Sequence, residues 1–329
     1  MKKVSVVVPC YNAAGYLDKC MEYLSGQTIG IDNMEIILVD DASTDAGATR
    51  RVISEYEKKF PDTVIAIFLN QNLRQGGARN VGISYATGEY LIFCDADDWL
   101  LKETLEHCYI AAKEYDADVV EFAGRNVTDR DAIVELEIGG GSRLVELVSE
   151  ENRKSFLLYV NEDLSLGSQT KFYRLSLIKE KHISFVEHLF FEEPSFVIPV
   201  RLYEKRHLFL DERLYVWYLS QGSTLRSNWE REHKWDNLQA WVFLMQDLSN
   251  RGMLLKYSQE LEYLFFNYAL VESVEMLVQR GCQLLEEELR MLADVTLRIF
   301  PDILQNQFVR SCEDRGIWNR QLAHLLQLG

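Results

Sequence analysis

Residues 4–41 decide the fold, and they read VSVVVPCYNAAGYLDKCMEYLSGQTIGIDNMEIILVDD. The β-branched run Val4–Val8 predicts a strand that is buried on both faces. Apolar residues then recur at helical spacing through Leu17–Leu24, and a glycine follows that helix. Glu35–Val39 is a second apolar run of strand length, and it ends at two aspartates. Strand, helix and strand in this order predict a parallel βαβ unit.

The same alternation continues to residue 122. It predicts three more strands and three more helices: strands at Val64–Leu69, Tyr90–Cys94 and Asp118–Phe122, and helices within 52–60, 76–86 and 105–112. This βαβαβαβαβ pattern is typical of an α/β fold with a mainly parallel, Rossmann-like sheet and helices on both faces. After residue 123 the alternation stops, and from about residue 229 the pattern is helical. We therefore expect a C-terminal helical subdomain.

Composition excludes several classes of protein. Thirty-five Lys and Arg against 51 Asp and Glu give a net charge of −16, so neither a basic nucleic-acid-binding face nor a polybasic lipid-binding arm is expected. The six cysteines include no C-x-x-C pair, which argues against a structural zinc site. The apolar run at the N-terminus is too short for a signal peptide, and no stretch reaches membrane-spanning length. These features predict a soluble, cytoplasmic protein with reduced thiols.

Polar and acidic residues follow three of the predicted strands. The clusters are Pro9-Cys10-Tyr11-Asn12, Asp40-Asp41-Ala42-Ser43 and Asp95-Ala96-Asp97-Asp98. In an open parallel sheet, ligands bind beyond the carboxyl ends of the strands, where these clusters are expected to meet. Each cluster alone also fits an ordinary turn or helix cap. Five aspartates at two strand ends, however, repel one another unless a cation or a ligand offsets their charge.

The Asp-x-Asp at residues 95–97 indicates a divalent cation. Mg²⁺ or Mn²⁺ takes one or two carboxylates and completes its shell with water and substrate phosphate. The sequence has neither G-x-x-x-x-G-K-[ST] nor G-x-G-x-x-G after its first strand, which removes the main support for nucleoside triphosphatase and dinucleotide-binding functions. A metal-bridged diphosphate remains, with Arg74 and Arg79 as candidate partners.

Several motifs in order resemble the nucleotide-binding half of family 2 glycosyltransferases, which have the GT-A fold. The resemblance covers about residues 3–122, weakens through 165–226 and is absent beyond. It rests on the segment quoted above, on EIILVDDASTD at 35–45 and on NLRQGGARNVGISYATGEYLIFCDADDW at 72–99. It implies a GT-A domain over 1–225, with a nucleotide-sugar half (1–122) and an acceptor half (123–225). Residues 226–329 then form a helical extension.

The resemblance also implies roles for residues of the first half. The base and ribose of a nucleotide-diphosphate sugar, usually UDP-linked, are contacted by Pro9, Tyr11, Asn12 and Asp41, together with Asp40. Tyr11 is suited to stacking on the base, although packing at a rim explains this residue equally well. Arg79 lies in the A-R-N motif near the nucleotide. Asp95 and Asp97 form the D-x-D motif, with Asp97 as first choice for a metal ligand and Asp98 next.

The acceptor base is implied by a family segment of the form Phe-x-Glu-Asp-x-x-Phe. Residues 190–196 read FFEEPSF, so Glu193 stands where the family has Asp, and a proline follows it. Glu193 is the candidate general base and Glu192 the alternative. The sequence is also compatible with two glutamates on the surface of a helix that have no catalytic role. Lys171 resembles a family lysine before the acceptor region. Arg226 lies in a segment that resembles a loop over the donor.

Two functional hypotheses follow. The first is a metal-dependent inverting hexosyl- or N-acetylhexosaminyl-transferase that uses a UDP-sugar and a saccharide or lipid-linked acceptor in bacterial surface polysaccharide or lipooligosaccharide synthesis. The second is a non-catalytic nucleotide-sugar-binding or assembly subunit, since the helical tail fits a homodimer or docking to membrane assembly machinery at the inner face of the membrane. A nucleotidyltransferase is disfavoured because no basic, glycine-rich loop follows the first strand. Donor sugar, acceptor and linkage stay open.

Overall fold

The structure is a computed structural model that describes residues 2–158, 166–219 and 233–311. The chain divides into two compact units. The first comprises Met1–Arg153, Glu162–His188 and Glu192–Ser227, and the second comprises Lys154–Asn161, Leu189–Phe191 and Asn228–Gly329. Within the described ranges, no helix has both the length and the apolar character needed to cross a membrane.

One mixed sheet forms the centre of the first unit. Its strands in the described residues are β1 (Val4–Cys10), β2 (Met34–Asp40), β3 (Val64–Phe68), β4 (Tyr90–Phe93), β5 (Trp99–Leu100), β6 (Val119–Val127), β7 (Ile138–Glu146), β8 (Lys171–Arg174) and β9 (Arg206–Tyr218). Their order across the sheet is β3-β2-β1-β4-β8-β6-β9-β5, and β7 also pairs with β9. The strands β3, β2, β1 and β4 are parallel to one another, as predicted.

Helices cover both faces of this sheet, as the burial pattern of β1 requires. The helices of this part of the chain are α1 (Leu17–Ser25), α2 (Ala48–Lys59), α3 (Arg74–Tyr85), α4 (Thr104–Glu114), α5 (Glu150–Leu158), α6 (Leu175–Glu180) and α7 (Pro194–Tyr203). Val4, Val6 and Val8 share a core with α1, α2 and α4, whereas Val7 shares one with α3, α6 and α7. The helix α3 approaches β1 closely at Gly82, where an added Cβ would lie 2.3 Å from Val7 Cγ1.

The sheet departs from a simple βαβ series beyond β4. The predicted fifth strand is present as β6, but β8 lies between β4 and β6 and is antiparallel to both. Strand β9 is parallel to β6 and antiparallel to β7 and β5. Strand β5 is only two residues long, and β7 falls in a stretch whose polar composition predicts no strand. Pairing of this kind depends on segments far apart in sequence, which a local hydrophobic period does not report.

The second unit is helical in its described residues, as the sequence predicts. Its helices are α8 (Asp236–Asn250), α9 (Met253–Lys256), α10 (Ser258–Leu264), α11 (Glu272–Gln279), α12 (Glu286–Ile299) and α13 (Gln307–Arg310), with a π-helical segment at Phe265–Val271 between α10 and α11. Leu261 and Phe265 are fully buried there, in keeping with their three- and four-residue spacing. Trp241 is buried too and stacks on Tyr268, with ring centroids 6.0 Å apart.

Candidate active site

Asn12 ties the end of β1 to the loop after β2, at the carboxyl edge of the sheet. Its N–H donates to Ser43 Oγ (2.9 Å), and its Oδ1 accepts from the Thr44 N–H (2.8 Å). Its φ of 51° is in the left-handed region, which Asn tolerates better than most residues. The neighbouring Tyr11 keeps 49% of its surface exposed, so its ring is open to a ligand. Pro9, by contrast, is buried inside β1 opposite Val39.

The two aspartates after β2 have different surroundings. Asp40 is fully buried, and its Oδ2 pairs with Arg50 Nε at 2.7 Å. The Oδ1 of Asp41 accepts from the Leu73 N–H at 2.7 Å, and burial raises the pKa of Asp41. Because Arg50 already neutralises Asp40, Asp41 is the better placed of the two to meet a nucleobase.

Arg79 joins two carboxylates that are far apart in the sequence. Its Nη2 lies 2.7 Å from Asp95 Oδ1, at the end of β4, and its Nη1 lies 2.5 Å from Glu192 Oε1, just before α7. The guanidinium is fully buried. Burial alone lowers the pKa of Arg79, but Asp95 and Glu192 outweigh that effect and raise it. Arg79 is therefore a charged bridge between protein carboxylates, which differs from its interpretation as a diphosphate partner.

Asp97 and Asp98 differ in the hydrogen bonds that their carboxylate oxygens accept. Asp98 is buried, its Oδ2 accepts from the Tyr215 hydroxyl (2.8 Å), and its Oδ1 accepts from the Tyr218 N–H (2.8 Å). Burial and the charge of Asp95 raise the pKa of Asp97 to about 6. Among the described residues, no other residue donates a hydrogen bond to the Asp97 carboxylate. Asp97 thus has the open carboxylate, while both oxygens of Asp98 are bound to β9.

Glu193 and Glu192 are neighbours with different partners. Glu193 immediately precedes α7, and its Oε1 accepts from the Ser168 N–H (3.0 Å) and Oγ (3.2 Å). Glu192 is buried against Arg79, and burial raises the pKa of Glu192 to about 7 against the opposing effect of that guanidinium. Glu193, whose exposure is intermediate, is the more accessible of the two. The structure therefore favours Glu193 over Glu192 as the group that faces a substrate.

Lys171 lies in a buried charge cluster, away from an open face. Its Nζ lies 3.3 Å from Glu121 Oε1 and donates to the carbonyl oxygen of Gly167 at 2.7 Å. Arg201 and His207 also contact Glu121, at 3.3 and 3.1 Å. Burial alone raises the pKa of Glu121, but these cations lower it to about 2. The side chain of Lys171 is 2% exposed, which departs from its interpretation as a donor-binding residue.

Two predicted cations remain. Arg74 is the first residue of α3, has a positive φ of 64° and is partly exposed near Asp41 and Leu73. Arg226 lies outside the described residues.

Four polar residues that sequence reasoning missed hold the acidic groups in place. Arg50 pairs with Asp40, Ser168 binds Glu193, Gln169 Nε2 donates to Asp95 Oδ2 (2.9 Å), and Tyr215 binds Asp98. None of the four belongs to a motif that carries chemistry by itself. Only their positions in the folded chain reveal their partners.

Comparisons with known proteins agree with this architecture. The sequence model of the family described as Glycosyl transferase family 2 matches residues 5–155. Glycosyltransferase GlyG of Streptococcus pneumoniae is 30% identical over 278 residues, which cover 79% of this chain and 89% of GlyG. The chain belongs to glycosyltransferase family 2.

Other relatives of this family 2 glycosyltransferase are longer. Poly(ribitol-phosphate) beta-glucosyltransferase of Bacillus spizizenii is 30% identical over 187 residues, which cover 57% of this chain and 27% of that protein. The crystal structure of Staphylococcus aureus TarS 1-349 in complex with UDP-GlcNAc has a TM-score of 0.73 and 22% identity, and the likeness covers 99% of this chain and 90% of that one. It confirms the predicted GT-A type fold with its helical C-terminal region.

The family match ends at residue 155. The match therefore contains Asp41, Arg79 and the D-x-D segment. Ser168, Glu193 and Tyr215 lie beyond it, so their roles rest on the geometry described above.

Proposed function

We propose that this family 2 glycosyltransferase transfers a hexosyl or N-acetylhexosaminyl group from a UDP-sugar to an acceptor hydroxyl, with inversion at the anomeric carbon. The observation that carries the proposal is the pairing of Arg79 with both Asp95 and Glu192. Because Glu193 follows Glu192 directly, the D-x-D segment and the candidate base lie around one buried guanidinium. A single displacement needs both at one site, since the diphosphate departs as the hydroxyl attacks.

Support for the donor comes from the loops after β1 and β2. The open ring of Tyr11 offers a stacking surface for a base. Asp41, whose N–H donates to the carbonyl oxygen of Cys10 at 2.8 Å, offers a hydrogen-bond acceptor at the neighbouring strand end. Relatives are named as a glucosyltransferase and, for TarS, as a poly(ribitol-phosphate) beta-N-acetylglucosaminyltransferase. We therefore propose UDP-glucose and UDP-GlcNAc as the first donors to test, and poly(ribitol phosphate) as the first acceptor.

A divalent cation, Mn²⁺ or Mg²⁺, is part of the proposal. Asp97 is the first ligand because its carboxylate has no donor from another residue in the described chain. Asp95 is the second because its side chain is partly exposed, whereas Asp98 is buried. In those same residues no group of three or more His, Cys, Asp or Glu side chains forms a cage for a metal. An ion that takes one or two carboxylates, water and diphosphate oxygens needs no such cage. When bound, the ion supplies charge neutralisation for the leaving diphosphate.

Glu193 acts as the general base in this proposal. It takes the proton of the acceptor hydroxyl while that oxygen forms a bond to the anomeric carbon. The bond between the anomeric carbon and the diphosphate oxygen breaks on the opposite face, and its electron pair leaves with UDP. One displacement of this kind inverts the anomeric configuration. Glu192 keeps Arg79 in place and does not exchange protons with the substrate.

The proposal is tested by release of UDP from UDP-glucose, UDP-GlcNAc, UDP-galactose and UDP-GalNAc, with water and with a ribitol-phosphate oligomer as acceptors. We expect Glu193→Gln to lower kcat at least about 100-fold, the usual scale for losing a general base, while UDP still binds. The control is Glu180→Gln, which changes an exposed glutamate at the end of α6. Full turnover by Glu193→Gln contradicts the assignment of the base. UDP binding without turnover of any donor supports the alternative, a non-catalytic nucleotide-sugar-binding or assembly subunit.

The proposal includes a setting. We place the protein in the cytoplasm, at the inner face of the cell membrane, in assembly of a bacterial surface polysaccharide on a saccharide or lipid-linked acceptor. Support comes from the poly(ribitol-phosphate) relatives. Vesicle flotation tests the membrane association, and light scattering tests the homodimer through the C-terminal helices that the sequence predicts.

A further inference from the structure

Two adjacent residues before β8 hydrogen-bond to carboxylates with different roles. The N–H and Oγ of Ser168 both donate to Glu193 Oε1, at 3.0 and 3.2 Å. The amide of Gln169 donates from Nε2 to Asp95 Oδ2 at 2.9 Å. Glu193 is the proposed base on the acceptor side, and Asp95 belongs to the D-x-D segment on the diphosphate side. One dipeptide therefore hydrogen-bonds both to the proposed base and to the D-x-D segment.

The backbone around this dipeptide is fixed by buried groups. The Tyr173 hydroxyl donates to the carbonyl oxygen of Ser168 at 3.1 Å, and Lys171 Nζ donates to that of Gly167 at 2.7 Å. On the other side, the Phe122 N–H donates to the carbonyl oxygen of Thr170 at 3.1 Å. Ser168 itself is fully buried. These anchors hold the two donors in one place relative to β6 and β8, so they are able to orient what they touch.

Both donors are neutral, which distinguishes them from Arg79. A guanidinium pairs with a carboxylate and cancels its charge, whereas a hydroxyl or an amide orients the carboxylate and leaves the charge available. Glu193 must keep its charge in order to accept a proton. Ser168 binds Oε1, and no residue in the described parts of the chain donates to the other oxygen of Glu193, which is therefore left to face the acceptor. Asp95 has Arg79 on Oδ1 and Gln169 on Oδ2, so its plane is set from both sides.

We propose that Ser168 and Gln169 are positioning residues: Ser168 aims the base Glu193 at the acceptor hydroxyl, and Gln169 sets the orientation of Asp95 for the metal-bound diphosphate. This inference rests on the proposed function and adds to it. The family match ends at residue 155, so neither residue lies within the matched segment.

The role of Ser168 is tested by steady-state kinetics with the UDP-sugar from which the wild-type protein releases UDP fastest. Ser168→Ala keeps the backbone N–H bond and removes the hydroxyl bond, so we expect kcat to fall about 10-fold with the KM for the donor unchanged. Ser168→Thr restores a hydroxyl and should recover most of kcat. Because Ser168 acts through Glu193, Ser168→Ala should add nothing to Glu193→Gln in the double variant. The control, Ser84→Ala, changes an exposed serine of α3.

The Gln169 half is tested by calorimetry with UDP, the product common to every UDP-sugar. We expect Gln169→Ala to weaken UDP binding about 10-fold in the presence of Mn²⁺ and to leave binding in EDTA unchanged. Gln239→Ala, at an exposed position of α8, is the control.

Different results overturn the two assignments. Wild-type kcat in Ser168→Ala, or a further loss in the double variant with Glu193→Gln, removes the role of Ser168. Equal weakening of UDP binding with and without Mn²⁺ in Gln169→Ala shows a merely structural role. If wild-type protein releases no UDP from any donor, the proposed function fails and the Ser168 assignment fails with it, whereas the Gln169 assignment is still decided by UDP binding.

Discussion

Replacing Asp97 by Asn should stabilise the metal-free protein while it destroys Mn²⁺-dependent binding of UDP. Burial, together with the nearby charge of Asp95, raises the pKa of Asp97 from 3.8 to about 6. A tenfold change in proton affinity corresponds to about 1.4 kcal/mol, so an ionised Asp97 costs the folded protein up to about 3 kcal/mol at neutral pH. Partial solvent exposure of the carboxylate reduces this cost, and we expect a gain of about 1–3 kcal/mol for the Asn variant.

The pH dependence follows from the direction of the shift. The folded protein binds the Asp97 proton more tightly than the unfolded chain does. The cost of the charge is therefore absent below about pH 4, where both states are protonated, and it grows until the pH passes the folded pKa of about 6. The stability difference between Asp97→Asn and wild type should be small at pH 4.5 and largest at pH 7.5.

Thermal melts in EDTA at pH 4.5, 6.0 and 7.5 measure this difference. At pH 7.5 we expect a rise in Tm of about 2–8 °C for Asp97→Asn, and no rise for Asp62→Asn, which changes an exposed aspartate. With Mn²⁺ and UDP added, the Tm of wild type should rise by mass action, and that of Asp97→Asn should not. A lower Tm for Asp97→Asn in EDTA at pH 7.5, or a difference that does not vary with pH, would refute this reasoning.

Three further predictions concern buried polar groups. Arg79→Leu leaves the buried carboxylate of Glu192 and the partly exposed one of Asp95 without their cation, so it should lower the free energy of unfolding by about 3–5 kcal/mol, measured by urea denaturation; a loss under 1 kcal/mol contradicts the bridge. Tyr215→Phe removes one buried hydroxyl bridge and should cost about 1–3 kcal/mol by the same measurement, while a neutral effect shows that the bridge is dispensable. Lys171→Met should destabilise the protein by about 3 kcal/mol, because Glu121 loses one of its cations, and the folded variant should bind UDP in EDTA as wild type does; weaker UDP binding in EDTA restores the donor-binding role.

The first half of the sheet is predictable from sequence because its signals are local. Strands such as Val4–Cys10 are buried on both faces and therefore read as continuous apolar runs, and the helices between them have clear periods. The strands after β4 carry no such signal. β8 has four residues, β5 has two, and β9 alternates unevenly between buried and exposed positions over 13 residues. Their places in the sheet depend on partners that lie far away in the sequence.

The candidate site divides in the same way. Strand ends predict where Tyr11, Asn12 and the aspartates lie, because parallel strands present their carboxyl ends at one edge. Ion pairs and hydrogen bonds across the fold are not predictable from spacing: Arg79 and Glu192 are 113 residues apart, and Tyr215 and Asp98 are 117 apart. The motifs and the family resemblance therefore predict ligand-facing cations at Arg79 and Lys171, whereas in the folded chain both are buried and paired with carboxylates.

Gln169, Tyr215 and Tyr218 donate hydrogen bonds to carboxylates of the Asp95–Asp98 segment, and this has a consequence for hybrid enzymes made from two relatives. A hybrid that joins the N-terminal half of one relative to the C-terminal half of another inherits these carboxylates from one parent and their hydrogen-bond donors from the other. The parts before and after residue 122 are therefore not independent of each other. A crossover succeeds only where the incoming parent carries equivalent donors before β8 and along β9, and these few positions are the first to match when designing a hybrid.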